Sequence, residues 1–426
     1  MMRLYIDPGT GSMLFAIIIG LIGVVIYYFK GLIVKAQFFL SGGKASKEEK
    51  DVTPLVIFSD DKRYWPVFEP IVRELDKREF DVVYMTSSPD DPALSCTEYP
   101  HLSARFIGEG NRAFAKLNFL HATIVLSTTP GLDVLQWKRS KYVQFYIHIP
   151  HSPAELTTYR PYGTDYFDAM LLAGQFQVDD ARDLEKIRNL PSKDLVLTGS
   201  PFLDEKARRL AERSASDTAS SSGETSDRTV LLAPSWGPSS ILNRYGADFI
   251  RDLLATGYHV IVRPHPQSFT SEKKLIDDLA SEFPENEQLE WNRDTDNFEV
   301  LYRSDILISD FSGVIFEYAL VFDKPVICAD TEFDPAPYDV WWLKRLPWGI
   351  SAIPRTGKKL TTENRGELKK LIDDCLEDRS YSETRNQLRD EAWIHRGEGA
   401  VRMADYIINR YNELTSAPRR ENRRKK

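Results

Sequence analysis

Apolar residues in this chain fall into short runs of strand length that alternate with segments of helical periodicity. The first run is LVIFS at 55–59, and apolar residues in the following segment, 66–77, recur at helical spacing. Short apolar strands that alternate with helices are typical of parallel sheets covered by helices. The pattern therefore predicts an α/β fold. Further strands are predicted at 81–87, 122–128, 142–149, 169–174, 194–199, 230–235, 259–264, 305–309 and 325–329, and further helices at 177–189, 241–256, 313–322, 363–377 and 398–414.

One polar segment divides the strands into two series. Residues 214–228 hold six Ser, two Thr and one Gly, and no apolar residue larger than Ala. Such a composition is typical of a flexible linker. In two tandem α/β domains, a ligand is expected in the cleft at the carboxyl ends of the strands. The predicted organisation is an N-terminal α/β domain at 53–212, a linker at 213–228, a C-terminal α/β domain with closing helices at 229–415 and a basic tail at 416–426.

A long uncharged run precedes the first domain. Residues 13–29 read MLFAIIIGLIGVVIYYF, and as a helix at ~1.5 Å per residue they span roughly 25 Å, close to the thickness of a bilayer core. Four lysines follow between residues 30 and 47, which places the C-terminal side in the cytoplasm. We therefore predict a tail and single transmembrane helix at 1–40, a juxtamembrane linker at 41–52 and cytoplasmic domains at the cytoplasmic membrane. A signal peptide and a buried core helix are the alternative interpretations.

Composition narrows the classes of function. The chain carries 55 Lys and Arg against 63 Asp and Glu, a formal net charge of −8, which argues against a nucleic-acid partner. The net charge does not exclude an anionic ligand, because ligand sites depend on local charge. Three widely separated cysteines give neither a disulfide framework nor a zinc site, so the chain fits a reducing compartment.

The junction between the strand at 305–309 and the next helix concentrates small polar residues. Ser309, Asp310, Ser312 and Gly313 occur in succession around Phe311. Glycine leaves room for a close ligand, and free backbone N–H groups at a helix start favour anions, with the Ser312 hydroxyl as a further donor. Glu317, one turn further, could accept hydrogen bonds from ribose hydroxyls. Ordinary N-capping by Ser and Asp is the alternative interpretation.

Two histidine turns follow predicted strands. Arg263 offers a guanidinium fork for phosphate, and His265, flanked by two prolines, suits a diphosphate. In the first domain His148 and His151 are candidate general bases. His151 is preferred, because His148 still lies within the strand pattern. Pro150 breaks any helix between them and no Cys completes a ligand set, which argues against a metal site.

Two further segments are open to more than one interpretation. Ser235 and Trp236 form a turn after the strand at 230–235, where Trp236 could stack on a base or fill the cleft wall. Asp294 and Asp296 form a DxD triplet, in which Asp296 is better interpreted as a helix cap than as a metal ligand. No cofactor and no metal are predicted.

Residues about 120–410 resemble the CDP-glycerol glycerophosphotransferase family, membrane-associated enzymes that build teichoic-acid-like polyol phosphates. The motifs that carry the resemblance are the His151-Ser152 turn, GSPFLD at 199–204, APSW at 233–236, RPHP at 263–266 and SDxLISDFSGVIFEYA at 304–319. The chain departs from the family pattern at Pro150-His151-Ser152-Pro153, where a Trp-His-Gly-Thr-Pro turn is frequent, and at Gly313, which replaces a second serine.

The resemblance implies a GT-B architecture, in which two Rossmann-like domains face a cleft. It further implies that the 229–415 domain binds a CDP-glycerol or similar CDP-polyol donor, with His265 at its diphosphate, while His151 of the 53–212 domain activates a lipid-linked acceptor and CMP is released. The alternatives are a UDP-sugar enzyme of GT-B type, such as a 2-epimerase, and a membrane-anchored binding protein with a decayed site. The predicted site comprises His151 and His265 as catalytic residues, and Arg263, Ser235, Trp236, Ser309, Asp310, Ser312, Gly313 and Glu317 as donor-binding residues.

Overall fold

The first half of the chain forms one parallel sheet. The computed structural model describes residues 52–153, 156–220, 228–330, 334–336, 338–343 and 345–416. Seven strands pair in the order β3-β2-β1-β4-β5-β6-β7, all parallel. The order reverses between β1 and β4, which places a crevice at their carboxyl ends. The strands are β1 Thr53–Ser59, β2 Val82–Thr86, β3 Leu102–Phe106, β4 Ala122–Ser127, β5 Val143–His148, β6 Ala169–Leu172 and β7 Asp194–Leu197.

The second half repeats this topology in a sheet of its own. Six strands pair in the order β10-β9-β8-β11-β12-β13, again all parallel. The central strands are buried throughout, which explains their continuous apolar runs. The predicted α/β class is confirmed. The strands are β8 Thr229–Leu232, β9 His259–Val262, β10 Leu289–Trp291, β11 Ile306–Ser309, β12 Val326–Ala329 and β13 Gly357–Leu360.

Helices connect the strands and cover the sheets. Those predicted from periodicity are present, and a π-helical turn, Tyr318–Phe322, extends α9. The pattern missed four helices of seven or more residues, α2, α4, α7 and α12, and the short strands β3, β10 and β13. The helices are α1 Trp65–Asp76, α2 Asn111–Leu117, α3 Gln175–Arg188, α4 Pro201–Ser220, α5 Ile241–Leu254, α6 Ser268–Ser271, α7 Lys273–Glu282, α8 Phe298–Arg303, α9 Val314–Glu317, α10 Trp348–Ala352, α11 Leu368–Glu377, α12 Tyr381–Ala392 and α13 Gly399–Ser416.

The structure differs from the predicted linker at its N-terminal end. Residues 213–220, expected to be flexible, form the last turns of α4. Two contacts support these turns: Arg213 pairs with Asp217 at i,i+4 spacing, and the Tyr302 hydroxyl donates to Asp217 at 2.6 Å. Side-chain pairing with a neighbouring helix therefore outweighs the local Ser-rich composition.

The last helix returns to the first sheet. Met403, Ala404 and Ile407 of α13 are buried in the same core as β1, β4 and α1, although the pattern grouped this helix with the second domain. The helix before it, α12, approaches the start of α3 in the first domain closely: a Cβ atom on Gly174 would lie 2.2 Å from the Glu391 carbonyl oxygen. The C-terminal segment therefore ties the two domains together.

The sequence features at the two ends of the chain lie outside the described residues. These are the predicted transmembrane helix, all but the last residue of the juxtamembrane linker and all but the first residue of the basic tail. Within the part that the structure describes, no helix is both long enough and apolar enough to cross a membrane.

Candidate active site

The carboxyl ends of the central strands of both sheets meet at one cleft of about 800 Å³. The first domain contributes the turn after β1, the turn after β5 and one face of α4. The second domain contributes the turns after β8, β9 and β11. Seven of the ten predicted site residues line this cleft: His151, Trp236, Arg263, His265, Ser312, Gly313 and Glu317.

His151 lies in an aromatic environment on the wall formed by the first domain. Its ring centroid is 5.1 Å from that of Tyr64 and 6.3 Å from that of Tyr159. Burial lowers the pKa of His151 to about 4; nearby Arg63 adds to the effect and Glu317 opposes it. The imidazole is therefore neutral at pH 7 and able to accept a proton, as a general base must.

The other candidate base, His148, is separated from the cleft. It is fully buried in β5, against the rings of Tyr159 at 5.5 Å and Phe167 at 4.9 Å. Burial lowers its pKa to about 3. His148 therefore belongs to the core of the first domain, which leaves His151 as the histidine that can reach a substrate.

His265 lines the cleft with one ring nitrogen left as a donor. Its Nδ1 accepts a hydrogen bond from the backbone N–H of Gln267 at 3.1 Å, and this hydrogen bond assigns the proton of the neutral ring to Nε2. Burial lowers the pKa of His265 to about 4, with Arg63 as the next cause. At neutral pH the side chain therefore offers a single N–H donor rather than a positive charge.

The guanidinium of Arg263 already has partners. Nη1 donates to Asn292 Oδ1, and Nη2 donates to the carbonyl oxygen of Asp294 at 2.8 Å. Both acceptors are neutral, while nearby carboxylates such as those of Glu317 and Asp294 offset part of the positive charge of Arg263. These two hydrogen bonds reduce the number of N–H groups that Arg263 can offer to a phosphate. Its other N–H groups remain available for the predicted phosphate contact.

Glu317 takes part in a contact between the domains that the sequence did not predict. Its Oε2 accepts from Asn297 Nδ2 at 2.9 Å and lies 3.1 Å from Nζ of Lys206, which is 3% exposed. Lys206 comes from α4, which connects the two sheets. Glu317, predicted to accept hydrogen bonds from ribose hydroxyls, thus has one carboxylate oxygen held by Lys206, which lies two residues after the GSPFLD motif.

Gly313 lies where the two domains approach each other. A Cβ atom at this position would lie 3.4 Å from Oγ of Ser152, an ordinary van der Waals distance. Steric crowding therefore does not require glycine here. Its effect is to leave open the space between the turn after β11 and the turn that carries His151.

Three predicted donor-binding residues lie behind the wall of the cleft. The carboxylate of Asp310, 1% exposed, accepts from the backbone N–H groups of Ser235 at 2.8 Å, Ile241 at 3.0 Å and Phe311 at 2.7 Å. Ser309 Oγ donates to the carbonyl oxygen of Ala233 at 2.7 Å. The side chains of Ser309 and Asp310 therefore act on the backbone: they fix the turn that carries Ser235 and Trp236 and the start of α5. Polar groups at the end of a buried strand must find such partners.

The DxD triplet is used in helix capping. Asp296 Oδ1 accepts from the backbone N–H of Phe298, in the first turn of α8, at 3.1 Å, and its carboxylate pairs with Arg209 at 2.6 Å. Asp294 Oδ2 accepts from Asn292 at 2.8 Å. Among the described residues, no group of three side chains is arranged to hold a metal ion.

Two Rossmann-like sheets that face a cleft of polar turns define a two-domain α/β protein of GT-B type. Residues 180–402 match the sequence profile of the CDP-glycerol:poly(glycerophosphate) glycerophosphotransferase family. The match spans more than half of the chain, and the chain belongs to this family. It is therefore a transferase enzyme.

Comparison with solved structures supports the fold. The wall teichoic acid polymerase TagF has a TM-score of 0.58 at 16% identity, over 92% of this chain and 99% of TagF. The UDP-GlcNAc 2-epimerase of Methanocaldococcus jannaschii, solved with UDP-GlcNAc and UDP, has a TM-score of 0.53 at 13% identity, over 84% of this chain and 100% of the epimerase. A search of curated proteins gave no match. At these identities the likeness concerns the fold.

Proposed function

We propose that this enzyme transfers glycerol phosphate, or a related polyol phosphate, from a CDP-activated donor to a hydroxyl of a polyol-phosphate acceptor in the synthesis of teichoic-acid-type polymers. The observation that carries the proposal is the pair of neutral histidines on opposite walls of one cleft. His151 can accept a proton and His265 can donate a hydrogen bond. Membership of the glycerophosphotransferase family supports the reaction, and a structure of TagF soaked with CDPG supports the donor class.

The reaction can be written with the residues that line the cleft. The acceptor oxygen attacks the β-phosphorus of the donor, His151 takes the hydroxyl proton, and the bond to the bridging oxygen breaks to release CMP. Negative charge grows on the departing phosphate. The Nε2–H of His265, the remaining N–H groups of Arg263 and the backbone N–H groups at Ser312–Gly313 lie on the wall where this charge develops, so they can offset it.

We extend this proposal to the location of the enzyme. The uncharged run at 13–29 would anchor the chain in the cytoplasmic membrane, with both domains in the cytoplasm and a lipid-linked acceptor nearby. The support is the length of this run and the lysines that follow it. Fractionation of cells that produce the full chain and a chain lacking residues 1–40 tests this part, since only the full chain should sediment with membranes.

A nucleotide panel tests the reaction. Purified enzyme is mixed with CDP-glycerol, CDP-ribitol, CMP, UDP and UDP-GlcNAc, and the melting temperature is followed; CMP release is then measured with a glycerophosphate oligomer as acceptor. We expect CDP-polyols to stabilise the protein most and to yield CMP. Stabilisation by UDP-GlcNAc instead would overturn the proposal in favour of the UDP-sugar alternative, which has the epimerase fold as its support. Binding without turnover on any acceptor would favour the decayed-site alternative.

A further inference from the structure

A second, smaller cavity opens beside the cleft. It has a volume of about 270 Å³ and lies between the turn after β1 and the turns after β9 and β10. We call it the side cavity. The argument rests on the six charged residues that line it: Lys62, Arg63, Arg263, Arg293, Asp61 and Asp294.

The charge of the side cavity is opposite to that of the chain. Four cations and two carboxylates line it, whereas the chain has a formal net charge of −8. Asp61 accepts from the backbone N–H of Arg63 at 3.0 Å and lies 3.3 Å from its guanidinium. Asp294 accepts from the neutral amide of Asn292 and keeps its charge. Because the cations that line the cavity outnumber its carboxylates by two, a positive potential remains there.

Two of the cations have no direct ion-pair partner: among the described residues, none places a carboxylate within ion-pair distance of Arg263 or Arg293. Arg293 instead lies over the ring of Phe269, with 5.6 Å between its guanidinium carbon and the ring centroid. Lys62 pairs with Asp90, but both side chains are exposed, and an exposed pair is weak and screened by salt. These groups can therefore turn to an anionic ligand.

The side cavity is joined to the cleft through Arg63 and Arg263, which line both. The partners that orient the Arg263 guanidinium, Asn292 and Asp294, line the side cavity and not the cleft. The residues expected to hold the donor, Trp236, Gly313 and Glu317, line only the cleft. A ligand in the side cavity would thus lie next to the donor without occupying its place.

We propose that the side cavity binds a phosphate of the acceptor, the phosphodiester next to the attacking hydroxyl. This inference rests on the proposed function and adds to it the site that holds the second substrate. Arginine at such a site forms charge-assisted hydrogen bonds to phosphate oxygens.

The kinetic test uses Arg293→Gln in the full chain. The acceptors are a short glycerophosphate oligomer and uncharged glycerol, and the control variant is Arg251→Gln, an exposed arginine on α5 outside both cavities. We expect Arg293→Gln to raise the KM for the oligomer about tenfold and to leave the KM for CDP-glycerol, and the rate with glycerol, unchanged. The control should change nothing. An unchanged KM for the oligomer, or an equal rise in the KM for CDP-glycerol, would overturn the assignment.

A binding measurement separates this inference from the proposed reaction. Calorimetric titration of wild type and Arg293→Gln with the oligomer, inorganic phosphate and CDP-glycerol requires no turnover. We expect weaker binding of the oligomer alone to the variant, and this result would support the side cavity even if no CMP were released. Wild-type protein that does not bind the oligomer, or that binds inorganic phosphate as tightly, would overturn the acceptor assignment.

Discussion

The two walls of the cleft are built in different ways, although the two sheets share one strand order. The wall from the second domain is held by hydrogen bonds, from three backbone N–H groups to Asp310 and from Arg263 to two neutral acceptors. The wall from the first domain is held by ring packing, with His151 against Tyr64 and Tyr159. One topology thus supports two kinds of surface, because function resides in the turns rather than in the fold.

Each kind of wall suits one half of the proposed reaction. A hydrogen-bonded wall holds several donors in fixed positions, which stabilises charge on a leaving phosphate at no cost of reorganisation. An aromatic wall disfavours the charged imidazolium, which keeps a general base in its reactive neutral form. We therefore expect substitutions in the wall from the first domain to act on kcat alone, and substitutions in the wall from the second domain to act on donor binding as well as on kcat.

The largest effect is expected for the two histidines. His151→Gln removes the proton acceptor, so kcat should fall by roughly 10²–10⁴-fold while the KM for CDP-glycerol stays nearly constant. His265→Gln should also raise the KM for CDP-glycerol, because it removes a donor from the phosphate wall. Initial rates of CMP release over a matrix of both substrates provide the measurement. A His151→Gln enzyme that changes only the donor KM would contradict the division between the walls.

The next largest effect is expected for substitution of two buried aspartates, one in each domain, which can be compared as a matched pair. Asp310 accepts from three backbone N–H groups, and Asp91, 2% exposed, accepts from the hydroxyls of Thr86 and Tyr84 and from the backbone N–H of Ala93. Asp→Asn at either position should cost about 1–3 kcal/mol in the free energy of unfolding, because an amide mismatches one of these donors.

Only one member of this pair should alter substrate binding. Asp310→Asn should also raise the KM for CDP-glycerol several-fold, because this carboxylate fixes the turn that carries Trp236, whereas Asp91 lies outside the cleft. Urea unfolding followed by circular dichroism gives the stability, and CMP release gives the KM. Equal effects of the two variants on the KM would show that the second wall is not specially ordered by Asp310.

The fold was predictable wherever burial makes a strand continuously apolar. Every residue of β4 is buried, and its sequence, ATIVLS, is recognisable at once. The edge strand β13, GKKL, buries only its first and last residues and carries two lysines between them, so its pattern does not stand out. Its glycine is required by a contact that no periodicity reveals, since a Cβ atom on Gly357 would lie 1.8 Å from the Val326 carbonyl oxygen.

The site was predictable in location and only partly in the roles of its residues. Turns at strand ends predicted where His151, His265 and Gly313 would meet, because parallel strands present their carboxyl ends at one edge. Sequence does not show which way a polar side chain faces, so Asp310 was expected at the ligand and lies behind the wall. The pairing of Lys206 with Glu317 depends on how α4 crosses between the domains, a long-range packing result that local patterns do not contain.

A smaller effect is expected for the aromatic residue of the second wall. Trp236 is 43% exposed and lines the cleft. If it stacks on the donor base, Trp236→Ala should lower donor affinity by about 1–2 kcal/mol, or roughly 5–30-fold, in a calorimetric titration with CDP-glycerol. Trp341→Ala is the matched control, since Trp341 is 64% exposed and lies outside the cleft. Equal losses in the two variants would argue against stacking.

The smallest effect is expected on kcat/KM when the pH is lowered from 8 to 6. An enzyme that depends on a histidine of ordinary pKa already loses rate in this range. Burial lowers the pKa of His151 and His265 from 6.5 to about 4, so both rings stay neutral until the pH approaches that value. The acid limb of kcat/KM for the donor should therefore lie near pH 4 to 5, well below 6.5. A limb near 6.5 would show that His151 is solvated in the free enzyme and that the aromatic wall does not set its charge.

The lowered pKa values of His151 and His265 also make the stability of the fold decrease at acid pH. Because the folded pKa values lie below the unfolded value of 6.5, the unfolded chain binds more protons between these limits. The contribution of the two rings is complete above pH 6.5 and is lost as the pH falls toward 4. His151→Gln should thus lose less stability than wild type between pH 7 and pH 5, measured by urea unfolding at each pH. The donor diphosphate should raise the pKa of His265, since it places negative charge beside Nε2, and an NMR titration of the histidine rings with and without CDP-glycerol measures this change. An unchanged pKa of His265 would place the diphosphate away from the second wall.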